Sequence, residues 1–178
     1  MSAVALALVL SSAFVHGWWN VRMHAGDDRL ATLTISYLVG GTLLLPFAIV
    51  DPPFDALPLL LGSAVAHSGY IWFLSGAYDR GGLATTYPLA RGVAPLLVAV
   101  AGIWFLDQTP SGLVVGGAIL VALGLVLVGG VAFGFGERTA VAMALTTGGF
   151  IAAYTLVDAN GASKTGALGF FSIASLMG

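Results

Sequence analysis

Apolar runs of about twenty residues, broken by short polar segments, repeat along the chain, and each is long enough for a helix to cross a bilayer. They occupy residues 2–21, 30–50, 57–78, 83–106, 111–133 and 139–157. A seventh run, 167–177, is as hydrophobic but stops after roughly half the length a span needs. It is either re-entrant or the start of a span that continues further, and its apolar end favours the second reading. The pattern therefore predicts an all-α, polytopic transmembrane bundle of six full spans plus a truncated seventh.

The breaks are short and hold most of the charge: Arg22 to Arg29, Asp51-Pro52-Pro53-Phe54-Asp55, Asp79-Arg80-Gly81-Gly82, Asp107-Gln108-Thr109-Pro110 and Gly136-Glu137-Arg138. Short connections between long apolar runs imply sequential up-and-down helices. No Lys or Arg precedes the first run, and His16 and Asn20 suit a cleavage region poorly, so it reads as a retained span rather than a signal peptide.

Composition agrees. Hydrophobic residues make up 58% of the 178 and charged residues 8%, against about a quarter charged in a soluble domain. Mean hydropathy is +1.00. The net charge of −2, without any basic run, excludes a nucleic-acid track. The absence of cysteine removes disulfides, thiolate metal sites and thiol nucleophiles. No Gly-x-Ser-x-Gly, His-Glu-x-x-His or phosphate-cradling loop is present, so neither an enzyme nor an ATPase is expected and no cofactor is implied.

Arg22, Arg29, Arg80 and Arg138 lie on one side of the bundle and Lys164 on the other, which puts the N-terminus outside. Ser11-Ser12-Ala13-Phe14-Val15-His16-Gly17-Trp18-Trp19 has a faint echo in Thr146-Thr147-Gly148-Gly149-Phe150-Ile151-Ala152-Ala153-Tyr154, the kind of internal duplication found in transporters.

Polar groups inside spans mark cavities or pathways by default. Ser12, His16, Trp19 and Asn20 share one face of the first span; Ser63, His67, Tyr70 and Tyr78 share one of the third. Tyr87 and Arg91 lie a turn apart in the fourth, and Thr147, Tyr154 and Asp158 follow the same period in the sixth. The second and fifth spans are nearly all aliphatic and read as packing elements. His16 and His67 are candidate proton carriers or interhelical hydrogen-bonding groups. Trp18, Trp19, Tyr70, Trp72, Tyr78 and Tyr87 form either a cavity lining or, for Trp18, Trp19 and Tyr78 near span ends, an interfacial belt. Gly112 with Gly116, Gly117 with Gly124, and Gly62 with Ala66 are packing signals.

The fourth span carries Tyr87-Pro88-Leu89-Ala90-Arg91-Gly92-Val93-Ala94-Pro95. Each proline lacks a backbone donor and crowds the preceding turn, which predicts a kinked or locally unwound helix. Arg91 lies about 12 Å along it from Leu83. Its planar set of donors suits a substrate carboxylate or phosphate; alternatively it is scaffold, snorkelling or paired with Asp158, or one half of a gate.

His16-Gly17-Trp18-Trp19-Asn20 resembles an element in the first helix of one branch of EamA-type proteins in the drug/metabolite transporter superfamily. Residues 87–95 resemble that group's fourth-helix signature. The Asp107-Gln108-Thr109-Pro110-Ser111 turn is similar to the end of the family's first repeat, with Asp where Glu is usual. Tyr154 to Gly161 resembles the opening helix of the second repeat.

The resemblance covers essentially the whole chain and implies a ten-helix protein of two inverted five-helix repeats around a central cavity. Residues 1–135 would be the first repeat and 136–178 the start of the second, with helices eight to ten beyond Gly178. Family members usually keep the N-terminus in the cytoplasm, opposite to the loop charges.

The function expected is secondary, non-ATP transport of a small polar metabolite or drug across the plasma or inner membrane, as an exporter or permease. Lipid and the small-molecule substrate are the expected partners, with proton coupling as a further expectation. Candidate substrate-binding residues are His16, Trp19, Asn20, His67, Tyr70, Tyr87, Arg91, Tyr154 and Asp158. The alternatives are an intramembrane enzyme using His16, His67 and Asp158, or an accessory packing subunit whose polar faces leave no cavity.

Overall fold

The computed structural model describes residues 3–105, 109–134 and 138–178. Among them every regular element is helical: α1 Ala3–His24, α2 Arg29–Val50, α3 Leu57–Arg80 after a 3-10 turn at Pro53–Ala56, α4 Leu83–Phe105, α5 Gly112–Gly134, α6 Arg138–Lys164 and α7 Ala167–Met177. The turns around Asp107 and Gln108 and around Gly136 and Glu137, including the expected repeat boundary at 135/136, lie outside the described residues.

Four stretches are long and apolar enough to cross a membrane: Arg29–Val50, Pro53–Arg80, Leu83–Trp104 and Arg138–Lys164. The expected six full spans are thus met by four among the described residues. Large apolar side chains point outward along most helices, with Leu113 91% exposed, Val50 86% and Trp104 78%. Apolar surface on that scale has no stable partner in water and suits lipid.

Helix ends follow from local chemistry. The Asp28 carboxylate accepts from the Ala31 N–H at 2.9 Å and caps α2, satisfying one of the donors a helix start leaves open. Arg29 bridges to Asp79 at 2.7 Å, tying the start of α2 to the end of α3. At the other end Pro52 and Pro53 introduce the turn before α3. α4 is helical through both Pro88 and Pro95, so the expected unwinding does not occur. The missing proline donors still leave the carbonyls of Ala84 and Arg91 without an i+4 partner.

Glycines set the helix pairings. A Cβ on Gly62 would meet Val157, one on Gly69 would run into the Phe150 ring, and one on Gly76 would reach Met143. As α3 numbers rise α6 numbers fall, so these helices run antiparallel in close contact. α2 and α7 do the same. Gly41 faces Ser172 and Leu176, while Gly169 lies against the backbone of Phe47, Ala48 and Asp51. Ser172 Oγ also donates to the Gly41 carbonyl at 2.8 Å. α7 is therefore a helix laid along α2.

Gly148 of α6 sits on Ala90 and Val93 of α4, and Gly92 of α4 sits on Leu125 of α5. By contrast Gly112, Gly116, Gly117 and Gly124 have open space around them, so the glycine spacing expected to pack α5 contacts nothing among the described residues.

The buried core lies between α3, α4 and α6, around Tyr70, Ile71, Leu74, Leu89, Ala90, Ala94, Val141, Ala144, Ile151 and Ala152. Most described side chains of α1 are exposed. Its attachment is through Trp19, which packs on this core, and Asn20, which is buried.

Candidate functional site

The polar face expected on α3 is turned inward. Ser63, His67, Tyr70 and Tyr78 are all nearly inaccessible. The 3.6-residue repeat places them on one side of the helix, and the α6 side chains they meet repeat in the same way.

At one level Ser63, His67 and Asp158 form a cluster. Ser63 Oγ donates to Asp158 Oδ1 at 2.5 Å. His67 Nδ1 lies 3.1 Å from Ser63 Oγ and 3.0 Å from the Ser63 carbonyl. His67 Nε2 is 3.7 Å from Asp158 Oδ2, too far for a hydrogen bond. Asp158 Oδ2 is buried and, among the described residues, has no hydrogen-bond partner.

One turn away along α6, Tyr154 stacks on the His67 ring with centroids 4.3 Å apart. The Tyr70 ring meets Tyr154 edge-on at 5.7 Å. Tyr37 of α2 completes the group, 5.4 Å from His67 and 6.2 Å from Tyr70 between centroids. This corrects the reading of α2 as pure packing. A lone tyrosine within an aliphatic span was the available signal, about 12 Å in from Arg29.

Arg91 of α4 is half-buried. Its side chain lies close to Tyr154 and in the electrostatic neighbourhood of Tyr70, Tyr78 and Tyr87. Among the described residues no carboxylate comes within ion-pair distance of it. The expected alternative of an Arg91–Asp158 pair is therefore not what this arrangement contains; Asp158 turns to Ser63 and His67.

Nearer the arginine-bearing end, Tyr78 Oη donates to Asn20 Oδ1 at 2.9 Å, and Asn20 Nδ2 donates to the His16 carbonyl at 2.7 Å. Tyr78 is 2% exposed, so it belongs to the interior and not to an interfacial belt. Trp18 does project outward, with Arg22 over its ring at 5.0 Å. Trp72 is 62% exposed and faces away from the site.

His16 is exposed, and its Nδ1 accepts from Trp19 Nε1 at 3.2 Å. It shares an electrostatic neighbourhood with Arg91 and is not part of the His67 cluster.

These residues form a polar and aromatic ladder through the helix bundle. Tyr78 stands about 3 Å from its helix end, Tyr87 about 6 Å and Arg91 about 12 Å, all measured from the arginine-bearing side. Ser63 and Asp158 stand about 9 Å from the opposite side. Five of the predicted residues meet around the middle and far end: His67, Tyr70, Arg91, Tyr154 and Asp158. Tyr87 stands in the electrostatic neighbourhood of Arg91, and Trp19 and Asn20 join from α1. Among the described residues no three His, Asp or Glu side chains gather as a metal site would need.

Comparison with protein-family models, with curated proteins and with solved structures finds no match to this chain.

Proposed function

We propose that this chain is the leading part of a secondary transporter of the drug/metabolite type, moving a small polar metabolite or drug across the plasma or inner membrane without ATP. In this reading all six long helices span, α7 begins the second helix of an inverted second repeat, and three helices follow. The antiparallel pairing of α2 with α7, the second helices of the two repeats, supports it.

The observation that carries the proposal is the setting of Arg91. A guanidinium held within a span, among tyrosine hydroxyls and, among the described residues, with no carboxylate at ion-pair distance, is costly as mere scaffold. It is well suited to take an anionic group of a substrate, with two donors side by side. The aromatic rings of Tyr70, Tyr87 and Tyr154 supply the apolar walls and hydroxyls that orient small ligands.

A second reading has one observation in its favour, the meeting of a serine, a histidine and an aspartate. The order of contacts speaks against an intramembrane hydrolase. In a nucleophilic triad the histidine takes the serine proton and the aspartate orients the histidine. Here the serine hydroxyl donates to the aspartate itself.

The test is a thermal-stabilisation screen of the protein purified from the complete reading frame, against a panel of small polar metabolites. At least one compound is expected to raise the melting temperature of the wild type and not that of Arg91→Ala. A panel without effect, or an equal response in both proteins, would sink the proposal.

A further inference from the structure

The Ser63–His67–Asp158 cluster has a gap in its hydrogen bonding that is one proton in size. The Ser63 carbonyl 3.0 Å from His67 Nδ1 can only accept, so Nδ1 carries a hydrogen. Ser63 Oγ uses its single hydrogen toward Asp158 Oδ1, so toward His67 it accepts as well. Both contacts fix the same tautomer.

His67 Nε2 is then left with a lone pair, and what it faces is Asp158 Oδ2, another lone-pair atom, at 3.7 Å. Among the described residues Oδ2 finds no hydrogen-bond partner, on a residue 6% exposed. Two acceptors confront each other with no donor between them.

We propose that Ser63, His67 and Asp158 form a binding site for one proton, and that this proton is the coupling ion. When it is present it sits on Oδ2, as the carboxylic acid donating to the imidazole Nε2. A small side-chain rotation closes the gap to hydrogen-bond length. When it leaves, a buried carboxylate keeps only the serine bond, a state that polar side chains in a span do not tolerate without compensation.

The donor set selects a proton over a metal cation. One carboxylate and one hydroxyl, with an imidazole nitrogen opposite, supply too few oxygens for a hard cation, which takes six or more.

The site is joined to the substrate position by Tyr154. Its ring covers the His67 imidazole, its side chain is within reach of Arg91, and Asp158 follows one turn later on the same helix. The other groups facing the cluster are Tyr70 on α3, Tyr37 on α2 and, beyond Tyr154, Arg91 on α4. α7 brings Phe171 and no titratable group. The main-chain oxygen of Gly178 nearby accepts from Ser68 Oγ. Filling or emptying the site therefore alters what α6 presents to an anion at Arg91.

The coupling role rests on the transporter reading; the proton site does not. Infrared difference spectra of the protein in lipid nanodiscs, recorded between about pH 5 and 8 where histidine-linked groups titrate, read the site directly. A protonated-carboxyl stretch that titrates in the wild type, disappears in Asp158→Asn and shifts in His67→Gln is expected. No titrating carboxyl band, or one that persists in Asp158→Asn, would overturn the site. The wild-type spectrum decides even where a variant fails to fold. If the band behaves as expected but a pH gradient drives no accumulation in proteoliposomes, the site stands and its coupling role falls.

Discussion

His67 and Tyr154 lie face to face across α3 and α6, their ring centroids 4.3 Å apart and their planes 15° from parallel. That stack joins two chemistries, the guanidinium of Arg91 on α4 and, one turn along α6 from Tyr154, the Asp158 carboxylate.

Tyr154→Phe keeps the ring and removes the hydroxyl. A hydrogen bond to a charged group is worth about 1.5–3 kcal/mol, roughly tenfold or more in affinity. Substrate KM should rise by about that factor in uptake assays, while the carboxyl band of Asp158 still titrates. Tyr154→Ala should disturb both. Unchanged KM in Tyr154→Phe would remove the hydroxyl from the account.

The two histidines should separate. His67 stands over the lone carboxylate, whereas His16 is exposed and engaged with Trp19. His16→Gln should leave the pH profile of transport as it is, and His67→Gln should displace it along the pH axis. Identical profiles for both variants and the wild type would argue against the distinction.

Much of this was legible in the sequence because apolar run length and charge placement are local. Most helix limits fall within a few residues of the runs, as α3 at Leu57–Arg80 against the expected 57–78 illustrates, but α6 continues to Lys164, well past the expected end at 157. The inward face of α3 followed from spacing alone. What sequence spacing could not reveal was which helices meet. Tyr37 stands alone in an aliphatic span, and only the packing of α2 places it beside His67. Arg91 and Asp158 looked like natural partners by charge, yet Ser63 and His67 take the aspartate because α3 runs antiparallel to α6 at glycine distance. Gly112, Gly116, Gly117 and Gly124 of α5 carry the same packing signature as Gly62, yet among the described residues a Cβ there would meet nothing within 4 Å, since a small residue permits close approach without specifying a neighbour.

The packing can be tested apart from function. Gly169→Ala would press a methyl against the Asp51 carbonyl oxygen at 2.8 Å, and backbone cannot swing aside, so about 1–3 kcal/mol of stability should be lost. Gly116→Ala enters open space and should carry no steric penalty. Melting temperatures in detergent should therefore fall for the first and hold for the second. An equal fall in both would contradict the α2–α7 packing.

The absence of cysteine gives a clean background for testing register. A Cβ on Gly62 would lie 3.7 Å from Val157 Cγ1, so the two positions face each other across α3 and α6. The double variant Gly62→Cys with Val157→Cys should cross-link on mild oxidation, and Gly116→Cys with Val157→Cys should not. Failure of the first pair, read by gel shift after alkylation, would contradict the antiparallel fit of α3 on α6.

The central claim is that Arg91 receives an anionic group of a transported molecule. Its most direct measurement is uptake by proteoliposomes carrying the protein from the complete reading frame, comparing the wild type with Arg91→Lys and Arg91→Ala at matched reconstitution. The wild type should accumulate at least one small anionic metabolite, Arg91→Lys, which keeps charge but loses the planar pair of donors, should show a raised KM, and Arg91→Ala should lose uptake. Equal uptake and equal KM in all three proteins would contradict the claim.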